Sequence, residues 1–360
     1  MTHLRIHTDR LRKGMVIANN VHSRSGAVLI PEGTPVTKEI MTLLARHFIE
    51  YVIVEYEPTG FPVIVATPVP GETPKLNEKR FEEFKESFQI AEDTLSENLK
   101  EIVEKNNDID VPVLLNMLNQ IVEKSENDMN LCDMLFHMKK NAENLYTHSI
   151  NVALLAQILA KWMNFDSYDI EPLVIAALLH DIGILKLSED DLKEFTFKQE
   201  LEKGKYEKHT VLGYNLIKEK DIDIRIKQAV LTHHERLDKS GFPLQVPSKN
   251  INPLSRILAI ADVYDTLIMK EKGAAALSPF LALKELEENG YHKFDSQMLM
   301  TFLSKVTYNF IQHTVLLSNG EYAQIVLINK YNLSRPLVQM GSTFIDLAIR
   351  TDLHIEALLD

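Results

Sequence analysis

The run VIAALLHDIG, from Val174 to Gly183, is the stretch of sequence that decides the fold. Six apolar residues, Val174 to Leu179, end in an adjacent imidazole and carboxylate, His180 and Asp181. Because an unpaired buried carboxylate is costly, an acid at the end of a buried helix needs a partner. A divalent metal ion suits an adjacent His and Asp. A dipeptide of this kind also occurs by chance, as a turn cap beside a hydrogen-bonded core histidine.

A His or Asp beside an apolar run also occurs before and after this stretch, on separate predicted helices. Asp262 follows a second apolar run, and His148, His209 and the doublet His233-His234 each adjoin an apolar stretch. Each of these residues alone is more often a core or cap residue than a ligand. With the first pair they make seven imidazole or carboxylate ligands, enough for two metal ions. A pair of metal ions is a common device for hydrolysing phosphate esters.

The composition is that of an ordinary globular protein, with 360 residues, 45% of them hydrophobic and 25% charged. The net charge of −12 disfavours broad binding to nucleic acid, which needs clustered lysine and arginine. Cys132 is the only cysteine, so an internal disulfide is excluded and a reducing compartment is natural. No apolar stretch is long enough for a membrane span, and Met1–Lys13 lacks the apolar core of a signal peptide. We expect a cytoplasmic protein that binds neither a membrane nor a nucleic acid polymer.

The pattern of apolar runs predicts a mainly α fold in five segments. These are a small N-terminal α/β unit of regulatory type at 1–57, a proline-rich linker at 58–75, a connecting amphipathic helix at 76–109, a helical domain at 110–310 and a short β-rich C-terminal tail at 311–360. In the first segment, short strand-like runs surround a helix predicted from Lys38 to His47. In the tail, two strand-like runs flank the hairpin turn Asn319-Gly320.

The predicted connecting helix carries a single apolar stripe from Phe81 to Ile102, at steps of three and four residues. One interpretation is a helix packed on its own domain. The other is a helix that forms a homodimer and passes signals. The sequence leaves both open.

With these residues in place, the chain resembles the HD-GYP family, a subclass of the HD-domain metal phosphohydrolases. The residues that match the family's motifs are His148, His180-Asp181-Ile182-Gly183, His209 with Gly213, the stretch from His233 to Pro243 and the stretch from Arg256 to Asp265. Gly241-Phe242-Pro243 stands where the family usually has Gly-Tyr-Pro. The resemblance covers about residues 110–310, and the segment 1–57 resembles the small domain often found ahead of HD-GYP in bacterial proteins.

The resemblance implies an all-helical domain that hydrolyses cyclic di-GMP to pGpG and, in some members, to GMP. It implies one metal ion held by His148, His180, Asp181 and Asp262, with Asp181 bridging to a second held by His209, His233 and His234. A hydroxide between the metals would attack phosphorus, which makes Asp181 a catalytic residue. The combination of imidazole and carboxylate ligands favours iron or manganese as the metal. Gly241, Phe242 and Pro243 are expected to contact the substrate.

Two positions near these ligands depart from the family pattern. Asn144 stands where many members carry a glutamate for a third metal ion, so we predict two ions. Ile184 stands where the family has a lysine that contacts phosphate. Lys186, two residues on, is then the candidate for this catalytic role.

A third departure follows the predicted Asp262 helix, where the family usually has Arg-Pro-Tyr-Lys. The aligned stretch here is Glu271-Lys272-Gly273-Ala274, which leaves Lys270 and Lys272 as candidate phosphate contacts. Each lost charge-assisted bond costs about 1.5–3 kcal/mol. We therefore expect metal binding with reduced or shifted substrate use.

Three functions remain open on the sequence alone. The first is a cyclic di-GMP phosphodiesterase. The second is a catalytically silent HD-GYP module that senses a nucleotide or binds proteins such as diguanylate cyclase domains. The third is a phosphohydrolase for another nucleotide, against which the Gly-Phe-Pro sequence argues. Glu235 and Asp265 are expected either to orient ligand histidines or to form surface salt bridges.

Overall fold

The computed structural model describes residues 2–8, 11, 15–22, 28–47, 49, 51–56, 77–138, 144–195, 197, 208–269 and 277–359. The chain divides into two compact units, residues 1–71 and 72–360. The predicted linker at 58–75 lies outside the described residues. The finer segment boundaries stay predictions.

The first unit is an antiparallel β structure packed around a helix. Its elements are β1 (Thr2–His7), β2 (Val16–Ile17), β3 (Val21–His22), β4 (Val28–Ile30), α1 (Lys38–Arg46) and β5 (Tyr51–Tyr56). Strands β1, β5 and β2 form a sheet in that order, and β3 pairs with β4. Buried Ile17, Leu44 and Val54 belong to a core separate from that of the second unit. The α/β character is confirmed, although the sequence analysis missed β1.

The second unit is predominantly helical. Its helices are α2 (Glu78–Lys105), α3 (Val111–Val122), α4 (Asp128–Met138), α5 (Leu145–Trp162), α6 (Ser167–Leu179), α7 (Glu189–Glu194), α8 (Lys208–Ile217), α9 (Ile224–Thr232), α10 (Pro253–Ile268), α11 (Pro279–Asn289) and α12 (Ser296–Asn309). Over the part of the chain that is described, no helix has both the length and the apolar character needed to cross a membrane.

Local sequence signals explain where the helices of the site begin. Helices α5, α6, α9 and α10 each start after an Asn or Asp whose side chain accepts a hydrogen bond from a backbone N–H of the first turn. The side chains from Leu173 to Leu179 in α6 are all buried, as are those from Ile257 to Thr266 in α10. A helix that is apolar on all sides packs in the middle of a domain. These helices therefore carry their polar residues into the interior.

The apolar stripe of α2 packs within its own unit. Phe84, Phe88, Leu95 and Leu99 are at most 1% exposed and belong to the same core as α5, α6 and α10. The Thr147 hydroxyl also donates a hydrogen bond to the carboxylate of Glu92 on α2. The structure supports the interpretation of a helix packed on its own domain. The homodimer stays a prediction, without support from this stripe.

This packing predicts the effect of truncating the stripe. Leu95 is fully buried and Ile90 is 60% exposed on the same helix. We expect Leu95→Ala to lower the free energy of unfolding by about 2–5 kcal/mol, and Ile90→Ala to change it by less than about 0.5 kcal/mol. Urea unfolding of the metal-free chain measures both. A midpoint for Leu95→Ala that rises with protein concentration would instead indicate an intermolecular stripe.

The C-terminal tail is an antiparallel sheet that joins the helical core. Its strands are β6 (Thr314–Leu317), β7 (Tyr322–Asn329), β8 (Asn332–Met340), β9 (Thr343–Asp346) and β10 (Ile355–Leu358), in the spatial order β10-β6-β7-β8-β9. The predicted hairpin joins β6 to β7, and Gly320 in its turn has a φ of 83°. Buried Val315, Ile325 and Val338 belong to the same core as the helices. The predicted fold class, mainly α with a β-rich tail, is confirmed.

Candidate metal centre

The seven predicted ligands converge in two buried groups. Group A consists of His148, His180 and Asp262, and group B consists of Asp181, His209, His233 and His234. Within each group, one ligand atom from every residue lies within 4.8 Å of the others. All seven residues are at most 4% exposed. The structure brings together all seven side chains that were named from the sequence. Their role as ligands is taken up as a proposal below.

The ends of helices place several of these side chains. His180 is the C-terminal cap of α6 and Asp181 follows it, so both lie just beyond the buried second half of that helix. His233 caps the C-terminus of α9 in the same way. Asp262 differs, because it lies inside α10 among buried apolar residues. Because the supporting helices are buried, the polar residues at their ends or within them lie together in the interior of the domain.

Asp181 lies between the two groups. Its Oδ2 atom is 3.2 Å from His180 Nε2 and 3.8 Å from His148 Nε2, both in group A. Its Oδ1 atom is 3.3 Å from His209 Nε2 and 3.7 Å from His233 Nε2, both in group B. Burial would raise the pKa of this carboxyl. The surrounding imidazoles, His180 first, outweigh burial and hold the pKa well below its usual value. A carboxylate with one oxygen facing each group is arranged to bridge two cations.

The histidines of the two groups differ in their electrostatic environment. Burial would lower the pKa of His148, but the carboxylates of Asp262 and Asp265 outweigh it and raise that pKa to about 10. In group B, burial lowers the pKa of His233 to about 4 and that of His234 well below its ordinary value. The imidazoles of His233 and His234 are therefore neutral at pH 7, which is the form that binds a metal.

Contacts outside the groups orient three of the imidazoles. His148 Nδ1 donates to Asp265 Oδ2 at 2.8 Å. The Nδ1 atoms of His180 and His233 donate to the backbone carbonyls three residues earlier, at 2.7 and 2.9 Å. Because a carbonyl oxygen only accepts, the Nδ1 atoms of His180 and His233 each carry a proton. The Nε2 lone pairs of these two residues therefore face the centre. Asp265 is fully buried, so of the two alternatives for this residue the surface salt bridge is wrong.

Within the described part of the chain, the centre also contains buried polar atoms that make no hydrogen bond. They include Nε2 of His148, Nε2 of His180 and Oδ2 of Asp262. A buried polar atom without a partner costs about 1–3 kcal/mol, more when it is charged. A cation would satisfy the lone pairs of His180 Nε2 and Asp262 Oδ2 and would replace the proton that the raised pKa leaves on His148. Imidazole with carboxylate suits divalent transition metals. The residues of groups A and B therefore fit metal ions.

An apolar cluster lies beside group A. Ile184 is 4% exposed and packs with Leu187, Phe197 and Met269. The ring of Phe197 lies 4.5 Å from that of His148, centroid to centroid. The position where the resembling family has a lysine is thus part of a hydrophobic wall. Phe197 was not predicted to lie near the centre, because nothing in its local sequence connects it to His148, 49 positions earlier.

The lysines predicted to contact phosphate are not brought to the centre by any described contact. Lys186 is exposed at the end of a short 3-10 helix, Ile182–Lys186. Lys270 and Lys272 lie outside the described residues. Their roles stay predictions.

The Gly-Phe-Pro sequence lies directly against group B. The ring of Phe242 packs on His234, with 4.6 Å between centroids. Gly241 is needed for this approach, because a Cβ there would overlap the carbonyl oxygen of His234 and lie 2.6 Å from the nitrogen of Arg236. The peptide between Phe242 and Pro243 is cis. Contact of these residues with a substrate stays a prediction.

Residues 127–298 match the family of the HD domain. This part of the chain has the sequence pattern of an HD domain. The predicted resemblance is thereby confirmed, and the domain holds all seven residues of groups A and B.

Known proteins similar to this HD domain include enzymes named for cyclic dinucleotides. Cyclic di-GMP phosphodiesterase PdeB of Borreliella burgdorferi is 29% identical over 208 residues, which cover 56% of this chain and 54% of the relative. The 3'3'-cGAMP-specific phosphodiesterase 3 of Vibrio cholerae is 27% identical over 240 residues, which cover 58% of this chain and 52% of the relative. The chain therefore spans about half the length of these curated relatives.

A solved structure shows the same fold. Bd1817, an HDG"Y"P protein from Bdellovibrio bacteriovorus, superimposes with a TM-score of 0.50 at 17% identity, over 84% of this chain and 98% of that one. At this level of identity the likeness concerns the fold alone.

Proposed function

We propose that the HD domain hydrolyses a phosphodiester bond of cyclic di-GMP to pGpG, which some members of the resembling family convert further to GMP. Groups A and B would hold two divalent ions of iron or manganese. The observation that carries this proposal is the position of Asp181, whose two carboxylate oxygens face different groups. The names of two relatives, one for cyclic di-GMP and one for 3'3'-cGAMP, support a cyclic dinucleotide as the substrate class.

The residues of the chain have separate tasks in this proposal. When bound, two divalent ions supply a nucleophile at neutral pH and Lewis-acid stabilisation of the phosphoryl oxygens. Asp181 would help to hold both ions, because it offers one oxygen to each group. The neutral imidazoles of His233 and His234 offer lone pairs without losing a proton. Asp265 holds His148 in the orientation that turns its Nε2 atom towards Asp262, 3.3 Å away.

A second candidate function is a silent module that binds a cyclic dinucleotide or a protein, such as a diguanylate cyclase domain, without turnover. The apolar surroundings of Ile184 favour it, because a buried aliphatic side chain neither donates a hydrogen bond to phosphate nor carries charge. The ligand groups favour the enzyme, since a silent module does not require seven convergent ligands.

Turnover by the full chain separates the two functions. We expect protein purified without oxygen and loaded with iron or manganese to bind two ions per chain and release pGpG from cyclic di-GMP. Chromatography measures the product, metal-free protein is the control, and 3'3'-cGAMP is assayed in parallel to define the substrate. Two bound ions with no product from either nucleotide would leave the silent module as the function. Protein that binds no metal under any loading would contradict both the centre and the enzyme.

A further inference from the structure

We propose that Glu235 and Arg236 are positioning residues for group B. They act through residues 237–246, called here the Gly-Phe-Pro loop, which these two residues hold in shape. The inference rests on the proposed function, because it assumes that groups A and B each hold a metal ion.

Glu235 fixes the far end of the loop. Its side chain is not at the surface but 2% exposed, so the surface salt bridge considered from the sequence is wrong for this residue too. Its Oε1 atom accepts hydrogen bonds from the backbone N–H groups of Leu244 and Gln245, at 2.7 and 2.9 Å. Its Oε2 atom accepts one from Val246 at 3.1 Å. One buried carboxylate therefore gathers three consecutive backbone donors, which closes the loop.

Arg236 fixes the near end. Its NH1 atom donates to the carbonyl oxygens of His233 and Glu235, at 3.0 Å in both cases. Its guanidinium lies 4.9 Å from the centroid of the Phe294 ring, and the next residue, Leu237, donates its backbone N–H to Lys293. The backbone that carries His233 and His234 is thus tied to the segment before α12.

The closed loop packs directly against His234 through Phe242. The N–H of Phe242 donates to the carbonyl oxygen of His234 at 3.2 Å, and the phenyl and imidazole rings are in contact. His148 is oriented by a carboxylate and His180 by a backbone carbonyl, both through direct hydrogen bonds to Nδ1. For His234 the loop adds the packing of the Phe242 ring to that backbone hydrogen bond, and the Nδ1 atom lies 3.7 Å from Asp262 Oδ2. Loosening the loop should therefore disturb group B and spare group A.

Two isosteric variants test this with opposite expectations. Glu235→Gln keeps the size of the side chain but places an amide NH₂ where an oxygen now accepts a hydrogen bond. We expect it to weaken the Mn²⁺ affinity of group B by about 10–100-fold, with group A unchanged. Asp265→Asn is the matched control, expected to weaken group A by about 10–100-fold and spare group B. Arg236→Lys, which loses the two-carbonyl contact, should act as Glu235→Gln does.

The measurement is a Mn²⁺ titration of the metal-free full chain in competition with a chelator, followed by electron paramagnetic resonance. The coupled pair of ions has a spectrum different from that of a single ion, so loss of the pair with one ion retained identifies a defect in one group. Circular dichroism establishes that each variant is folded.

The outcomes separate this inference from the proposed function. A wild-type chain that binds fewer than two Mn²⁺ ions would overturn the proposed two-metal enzyme. A wild-type chain that binds two, beside a folded Glu235→Gln or Arg236→Lys variant with unchanged affinities, would overturn the positioning role alone. Equal weakening of both groups would also overturn it, because that result indicates general loosening of the domain.

Discussion

Replacing Asp181 by alanine will remove both metal ions from the centre and abolish turnover. The side chain is 5% exposed, and its two oxygens lie 3.2 Å from His180 and 3.3 Å from His209, one in each group. Removing it would withdraw a ligand from both ions at once and leave two groups dominated by imidazoles, without the negative charge that would offset the repulsion between two cations. Metal ions contribute several kcal/mol of transition-state stabilisation. The expected loss of activity is therefore on the order of 10³-fold or more.

Metal analysis of the purified variant is the decisive measurement, because it does not depend on the choice of substrate. Asp181→Asn provides a graded comparison: it keeps the volume and one oxygen but loses the charge, and we expect it to retain one ion per chain. Asp352→Ala is the control, since Asp352 is an exposed acid paired with Arg350. Full metal content in a folded Asp181→Ala variant would show that this residue does not bridge.

The second large effect is expected at Gly183, where two backbone segments meet. A Cβ at this position would overlap the carbonyl oxygen of His209 and lie 2.5 Å from the backbone nitrogen of Gly213. Neither backbone group can rotate away as a side chain does, so α8 would have to shift and carry His209 with it. We expect Gly183→Ala to destabilise the metal-free domain by more than the roughly 1–3 kcal/mol of ordinary overpacking. It should also weaken metal binding in group B.

Gly213→Ala is a matched control on the opposite side of this contact. Its added Cβ would lie 3.2 Å from a side-chain atom of Val230, which can adjust, and 3.3 Å from the nitrogen of Gly183. Alanine also favours a helix over glycine by about 1 kcal/mol. We expect a change in stability within about 1 kcal/mol of zero, measured by urea unfolding of the metal-free proteins. A Gly183→Ala variant as stable as Gly213→Ala would mean that the two segments separate without cost.

Much of the fold was predictable because burial leaves a local trace in the sequence. The run from Val174 to Leu179 predicted a buried segment, and α6 is buried along that whole stretch. The turn at Asn319-Gly320 predicted the hairpin between β6 and β7. The other three tail strands, β8, β9 and β10, were not predicted. Strands β9 and β10 are only four residues long and lie at the two edges of the sheet. Their apolar residues form no run that stands out from loop sequence.

The sequence by itself determined which side chains belong to the centre. A carboxylate or imidazole beside an apolar run is costly to bury without a partner, so Asp181, Asp262 and the histidines were recognisable wherever they stood in the chain. Only the tertiary structure decided how they divide into two groups, that Asp181 turns one oxygen to each, and that Asp265 supports His148 from 117 positions away. Helical periodicity reports which face of a segment is buried, whereas distances between ligands are set by the packing of helices that are remote in sequence.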